Sequence, residues 1–426
     1  MARTVELSNI ISENTNKIDA HFKANDLPTP SFDVDSPLDF PVPITNVEIQ
    51  TARRAVVLAT QELHDLLVGP REHVRWLSWS YWDNLSIQAI TTFNLANLVP
   101  LSGTTTYTAL ATATSQSTTN IKRLIRHAIT ARLFREPSPG LVAHSAASSV
   151  LARDPQMAAW ASVCSGQFFG AAARAIDSMV ATPSSEEPSE AGYALAHCPG
   201  VPMFQSIGKD PVLAKRFGAA MGSLTGGEGY EVSWVVDGYD WEAVNKKGGL
   251  VVDIGGSTGF VCAELAKKFP NIRFVVQDMQ KTIDMGIAQC PPELKERIEF
   301  QAHDFYTEQP VKDADIYFFR WICHNQSDKY GVKMMRQLIP ALKPGAKIVI
   351  HDNCLPVVGE DGYPDLWDEK ITRSMDLTML ALLNAKERDD ADWTQLFADA
   401  DPRFKYLGHT QPEGSRMGIM EAVWMP

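Results

Sequence analysis

The chain has 426 residues, 45% of them hydrophobic and 21% charged, with a formal net charge of 39 − 51 = −12. That length suits two or three globular domains, and the acidic balance excludes a general affinity for nucleic acid or anionic membrane. No apolar run approaches the ~20 residues of a membrane span.

The N-terminus, MARTVELSNIISENTNK, is polar and has no signal-peptide core. Periodicity predicts a helix over residues 4–24, followed by the Pro-rich stretch LPTPSFDVDSPLDFPVP. Residues 1–44 therefore read as a helix and linker, packing either on the chain's own domain or on a partner subunit. A second helix is expected from Thr45, with Thr45 and Glu48 as a capping box and Gly69-Pro70 as the stop. The aromatic run WLSWSYWDNLSIQAITTFNLANLVP suits a buried helix or a subunit contact.

Residues 107–151 read as helix, turn, helix and a short hairpin about Gly140, the pattern of a winged helix, so 45–151 form one domain. Its second helix carries Lys122, Arg123, Arg126 and Arg132. These fit either a DNA-recognition helix or a solvated face, and the acidic chain favours the latter. Residues 152–426 form the last domain. Its first part, to 245, is helical, and Phe204, Met221 and Trp234 there offer large apolar side chains for a substrate wall or for plain core.

From residue 249 strand and helix alternate. Strands are expected at 250–253, 273–277, 298–301, 315–319 and 346–350, a doubly wound α/β sheet, with RFKYLGHT and MGIMEAVW added as an antiparallel hairpin. The stretch VVDIGGSTGF is strand, glycine turn and helix start, a nucleotide-binding unit. It lacks GxxxxGK[ST], which removes the nucleotide-triphosphatase reading, and does not match GxGxxG, which disfavours a nicotinamide dehydrogenase. Asp253 before Gly255, Gly256 and Gly259 suits a cationic ligand better than a pyrophosphate. Asp278, ending the second strand, can accept both hydroxyls of a ribose. Asp304 and Phe305 can frame an adenine. Arg320, His324 and Asp352 fall at the carboxyl ends of later strands, where open α/β sheets bind ligands. Met375, Met379 and the run AKERDD follow. No compact cluster of oxygen ligands is present, so no metal is expected. The six cysteines (Cys164, Cys198, Cys262, Cys290, Cys323, Cys354) have no CxxC or CxxH spacing. They read as reduced thiols of a cytoplasmic protein without a zinc site.

Together, LVVDIGGSTGF, FVVQDM, AHDFY, YFFRWICHNQSDKY, LKPGAKIVIHDNCLP and DLTMLALLNAKER resemble the plant-type, metal-independent O-methyltransferases that use S-adenosylmethionine. The fungal branch acting on aromatic polyketides, such as the sterigmatocystin O-methyltransferases, is most similar. The resemblance implies a class I methyltransferase fold with an N-terminal winged-helix dimerisation domain. It implies a homodimer that binds no DNA and methylates a phenolic hydroxyl of a secondary metabolite. By the same resemblance the 253–259 turn carries the methionine part of the cofactor, Asp278 binds the ribose, Asp304 and Phe305 the adenine, and Met279 is a further cofactor-binding residue. Arg320 stands where the family has a lysine. His324 stands at the general base, and Asp352 and Glu387 at two acidic residues that orient it. Phe204, Met221, Trp234, Met375 and Met379 are the pocket candidates. Plant members read HDW from the base, whereas this chain reads His324-Asn325-Gln326, and Asp352 replaces a Glu. The alternative is a cyclase or pericyclase of the same fold that uses the cofactor's positive charge without consuming it; such an enzyme has no need of His324 with carboxylate partners.

Overall fold

Helix Arg3–Ala24 lies along helix Val47–Val68 in the computed structural model, which describes residues 2–356 and 367–426. The first helix thus packs on its own chain, where Phe22, Val42 and Ile49 form a small buried cluster. The expected Thr45–Glu48 capping box is not formed. Asn46 is the N-cap, and its side chain accepts from the backbone N–H of Ile49 at 3.3 Å. Thr45 lies one residue too early in the turn for that reach.

The aromatic run does not form a buried helix throughout. Helix Pro70–Leu77 buries no residue, and Trp76, Trp79, Tyr81 and Trp82 are exposed. Only Ser86, Ala89 and Ile90 of helix Tyr81–Thr92 face the interior. Helices Tyr107–Thr114 and Thr118–Thr130 follow, with strands β1 (Thr105–Thr106), β2 (Arg135–Ser138) and β3 (Leu141–Ala143) ordered β1-β3-β2. This is the winged-helix arrangement. Arg126 of the second helix is committed to the wing, donating to both oxygens of Glu136 at 2.7 and 2.8 Å.

Contacts divide the chain into two units. One is Met1–Gly170 with Ser206–Leu224 and a short piece ending at Trp367; the other comprises Ala171–Gln205, Thr225–Pro364 and Asp368–Pro426. Segment 206–224 goes with the first unit because Ala220 of helix Pro211–Thr225 packs on Ala159 and Val163 of that unit.

The second unit holds a seven-stranded sheet of β4 (Leu250–Ile254), β5 (Arg273–Asp278), β6 (Ile298–Ala302), β7 (Ile316–Arg320), β8 (Lys347–Asp352), β9 (Phe404–Thr410) and β10 (Gly418–Trp424). Their order is β6-β5-β4-β7-β8-β10-β9. The first five are parallel, and β10 runs antiparallel between β8 and β9. Alternation along each strand feeds two cores. Val252, Tyr317, Phe319, Ile348 and Ile350 face one layer; Val251, Ile316, Phe318 and Val349 face the other. Being buried on both sides, these strands carry unbroken apolar runs, as parallel sheets require. Strand order reverses between β4 and β7, and the carboxyl ends at such a point are where open α/β sheets bind ligands.

Candidate active site

Asp253, Arg320 and Asp352 are all at or next to the carboxyl ends of strands that neighbour one another in β4, β7 and β8. The turn after β4 is shaped by missing side chains. At Gly255, with φ +72°, a Cβ would fall 2.4 Å from the Ile322 side chain; at Gly256 it would fall 2.5 Å from the Asp253 carboxylate. The backbone therefore presses directly against Asp253. That carboxyl is fully buried and accepts from the Cys262 thiol at 3.3 Å. Burial pushes its pKa up to about 7. A buried carboxylate with so weak a donor is best satisfied by a cation. Gly259, with φ +78°, caps helix Phe260–Lys268.

Asp278 ends β5 with its carboxylate fixed by two backbone donors, Ser257 N–H to Oδ2 at 2.9 Å and Met279 N–H to Oδ1 at 2.7 Å. A carboxylate offers about four lone-pair sites, so two remain for a pair of hydroxyls. Met279 is exposed. Asp304 is exposed and turns the chain through Tyr306 N–H at 2.9 Å, while Phe305 is half-buried against Tyr306. The Tyr306 hydroxyl donates to the Gln326 side chain. Gln326 is thus buried and tied to an aromatic residue of the 304–306 turn.

His324 sits in the short turn Cys323–Asn325 just beyond β7. The turn is entered through Trp321, whose φ of +58° is unusual for a bulky residue. The Trp321 and His324 rings lie 4.9 Å apart, and Tyr230 lies 5.4 Å from Trp321. His324 Nδ1 is 2.9 Å from Glu387 Oε1, with both side chains buried. Asn353 donates to the same Glu387 oxygen at 3.1 Å, and Asp376 accepts from the Glu387 backbone N–H at 2.9 Å. Burial disfavours the imidazolium, but the Glu387 and Asp352 carboxylates outweigh it, and the His324 pKa ends above its ordinary value.

The two carboxylates do not share one task. Glu387 takes the ring; Asp352 takes the backbone, accepting from His324 N–H at 3.0 Å. Burial raises Asp352 to about 6. Asp352 Oδ1 and Glu387 Oε2 are buried without a partner among the described residues. Arg320 is buried near Asp253 and Asp352, donating to His351 Nδ1 at 3.2 Å and to the Tyr230 carbonyl at 2.6 Å. Burial lowers its pKa to about 10, so it stays cationic near neutrality.

The pocket candidates separate. Met379 is buried and Met375 half-buried on helix Asp368–Leu383, beside Asp376. Trp234 donates to Glu231 at 2.7 Å. Phe204 is 49% exposed, and Met221 packs with Ala159, Val163 and Ala220 of the other unit. Asn353 and Arg388 escaped the sequence reading. Asn353 lay beside the noticed Asp352, and Arg388 was hidden in a charged run, AKERDD, of the kind usually solvated. Cys354, Asp390 and His409 bring ligand-type atoms within 4.8 Å of one another; His409 Nδ1 and the Tyr406 hydroxyl already bond Asp390 there.

A profile of the O-methyltransferase domain matches residues 181–402. The chain is 45% identical to a chlorophenol O-methyltransferase of Trichoderma longibrachiatum, over 99% of this chain and 90% of that one. Among solved structures it is similar to OxaC in complex with SAH and oxaline, at 22% identity and TM-score 0.72, covering 99% of this chain and all of that one. It is also similar to a pericyclic reaction enzyme, at 20% identity and TM-score 0.70, covering 88% and 95%. The last two likenesses concern the class I methyltransferase fold alone. The glycine cradle, the buried Asp253 and the fixed Asp278 fit the ammonium and ribose of S-adenosylmethionine. The domain match and the full-length relative show that the chain belongs to the S-adenosylmethionine-dependent O-methyltransferases.

Proposed function

We propose that this enzyme methylates a phenolic hydroxyl of an aromatic secondary metabolite, with His324 as general base. The observation that carries the reading is the buried His324–Glu387 pair at the ligand edge of the sheet. The similarity to a chlorophenol O-methyltransferase supports a phenolic acceptor. S-adenosylmethionine, when bound, supplies a methyl group already activated on a sulfonium centre. What remains for the protein is a proton and a geometry. A phenol has a pKa of ~10, so little phenolate exists near neutrality. With Nδ1–H donating to Glu387, the lone pair of His324 lies on Nε2, which takes the phenolic proton as the new bond forms. Such positioned base catalysis contributes roughly 10²–10⁴ in rate. Glu387 fixes the tautomer and stabilises the imidazolium, and Asp352 holds the turn by its backbone. Asp253 holds the cofactor's ammonium, Asp278 its ribose, and Asp304 and Phe305 border the adenine. Met375 and Met379 contribute to an apolar acceptor pocket.

The enzyme works as a homodimer. Trp76, Trp79, Tyr81 and Trp82 are all exposed, and a run of large exposed aromatics supports a covered face between two copies. The winged helix then serves assembly, not DNA, consistent with the engaged Arg126 and the acidic chain. All six cysteines are free thiols, as suits a reducing cytoplasm, and among the described residues no helix is long and apolar enough to cross a membrane.

The test is incubation with S-adenosylmethionine and a panel of phenols, followed by mass spectrometry. Methyl ether and S-adenosylhomocysteine in equal amounts are expected. An isomerised substrate with no homocysteine formed would replace this reading with the cyclase one.

A further inference from the structure

We propose that Arg388 is a positioning residue for the base, clamping the backbone of the turn that carries His324. The inference rests on the reading of His324 as the base.

Arg388 is fully buried, at 0% exposure. Its Nη1 donates to the Cys323 carbonyl at 3.0 Å and its Nη2 to the Gln326 carbonyl at 2.8 Å. These carbonyls bracket His324. Nε and Nη2 also donate to Asp328 Oδ1, at 3.0 and 2.9 Å, at the first residue of helix Asp328–Leu338. One rigid fork therefore spans the turn and the helix start behind it. An arginine presents five N–H donors in a fixed plane, and this one adds a second donor to the Cys323 carbonyl, which also accepts from Gln326 N–H at 3.1 Å, and reaches the Gln326 carbonyl beyond the turn. The guanidinium also lies 5.3 Å over the Trp393 ring.

The neighbours explain how one segment does both jobs. Arg388 bridges to Cys354 in a parallel β-bridge, and its carbonyl accepts from Leu355 N–H at 2.9 Å. Extended backbone sends successive side chains to opposite sides. Glu387 thus reaches the His324 ring while Lys386 and Arg388 both reach Asp328. Ring orientation and backbone position are set by adjacent residues, so they move together. A buried guanidinium in this place is costly to keep unless it is fully bonded. A lysine would keep the charge but could not span both carbonyls and Asp328.

The experiment compares Arg388→Met and Arg388→Lys with wild type and His324→Ala, measuring kcat, KM for S-adenosylmethionine, and the pH dependence of kcat/KM. The charged groups around the His324 ring are Glu387, Asp352 and Arg388. Losing the last removes a positive charge that opposes protonation. Arg388→Met is expected to lower kcat tenfold to a hundredfold, leave KM for S-adenosylmethionine within threefold, and move the acid limb of kcat/KM to higher pH. Arg388→Lys is expected to regain part of kcat and return the limb to its wild-type position. If Arg388→Met does not accumulate as folded protein, Arg388→Lys alone decides: reduced kcat with an unmoved limb supports the clamp, and wild-type kcat overturns it. A wild-type rate in Arg388→Met, or a loss with an unmoved limb and no recovery by lysine, also overturns it. His324→Ala separates the two readings. If that variant keeps its rate, the base assignment has failed; if it loses its rate while Arg388→Met does not, only the clamp has.

Discussion

The glycine turn after β4 and the histidine turn after β7 touch, since a Cβ on Gly255 would meet the Ile322 side chain, yet they are held in opposite ways. The first is local: Asp253, Gly255, Gly256 and Gly259 lie within seven positions, and the shape comes from absent side chains and a positive φ. The second is assembled: His324 is fixed by Asp352 28 residues away and Glu387 63 residues away. The cradle proposed for the cofactor's ammonium is therefore a property of one short segment. The base half is a property of the fold.

Breaking the local half is expected to have the largest effect. Gly256→Val forces a branched side chain onto the Asp253 carboxylate, already 2.5 Å from a bare Cβ, and abolishes measurable S-adenosylhomocysteine binding in calorimetry while thermal unfolding stays cooperative. Asp253→Asn removes the charge without the shape, and the cofactor binds weaker by about 2–5 kcal/mol, as for a truncated buried charge pair. In the wild type the same carboxylate gives binding a pH dependence. Its pKa is raised to about 7 by burial, the cation prefers the ionised form, and so cofactor affinity falls as pH drops through about 7. Titrations at pH 6 and 8 check this; equal affinities would argue against Asp253 as the ammonium's partner.

The assembled half is expected to respond more gently to removal of one support. Glu387→Gln keeps the side-chain shape and loses a charged hydrogen bond worth about 1.5–3 kcal/mol, or roughly tenfold to a hundredfold in kcat. Its direction in pH is specific. In the wild type the raised His324 pKa means activity is lost as pH falls through a value above the ordinary ~6.5. Without Glu387 burial prevails, the pKa drops, and the acid limb moves to lower pH. The smallest effect on the site is expected from the exposed aromatics. Trp76→Ser with Trp79→Ser leaves cofactor binding within twofold but shifts the protein toward monomer in sedimentation.

The same contrast explains what was legible in the sequence. The seven strands lie within a residue or two of where the sequence places them: the central parallel ones are unbroken apolar runs, and the edge strand β9 shows alternation instead. The glycine turn was legible because its physics is contiguous. His324 was placed by its position after a strand, and Glu387 came only through family resemblance, since nothing in AKERDD distinguishes a buried carboxylate from a solvated one. Arg388, with no apolar neighbour in sequence, is buried because the fold brings three acceptors to it. The cap at Asn46 was missed for a smaller reason: Thr45 and Asn46 are both good caps, and only the backbone decides which one reaches Ile49.

The central claim is that cofactor binding and base catalysis are separable although the two turns touch. It is tested most directly by His324→Ala, measuring S-adenosylhomocysteine affinity and methyl transfer on the same preparation. The account predicts affinity within threefold of wild type and turnover lower by roughly 10²–10⁴. Turnover within threefold of wild type, or affinity and turnover lost together, would contradict it.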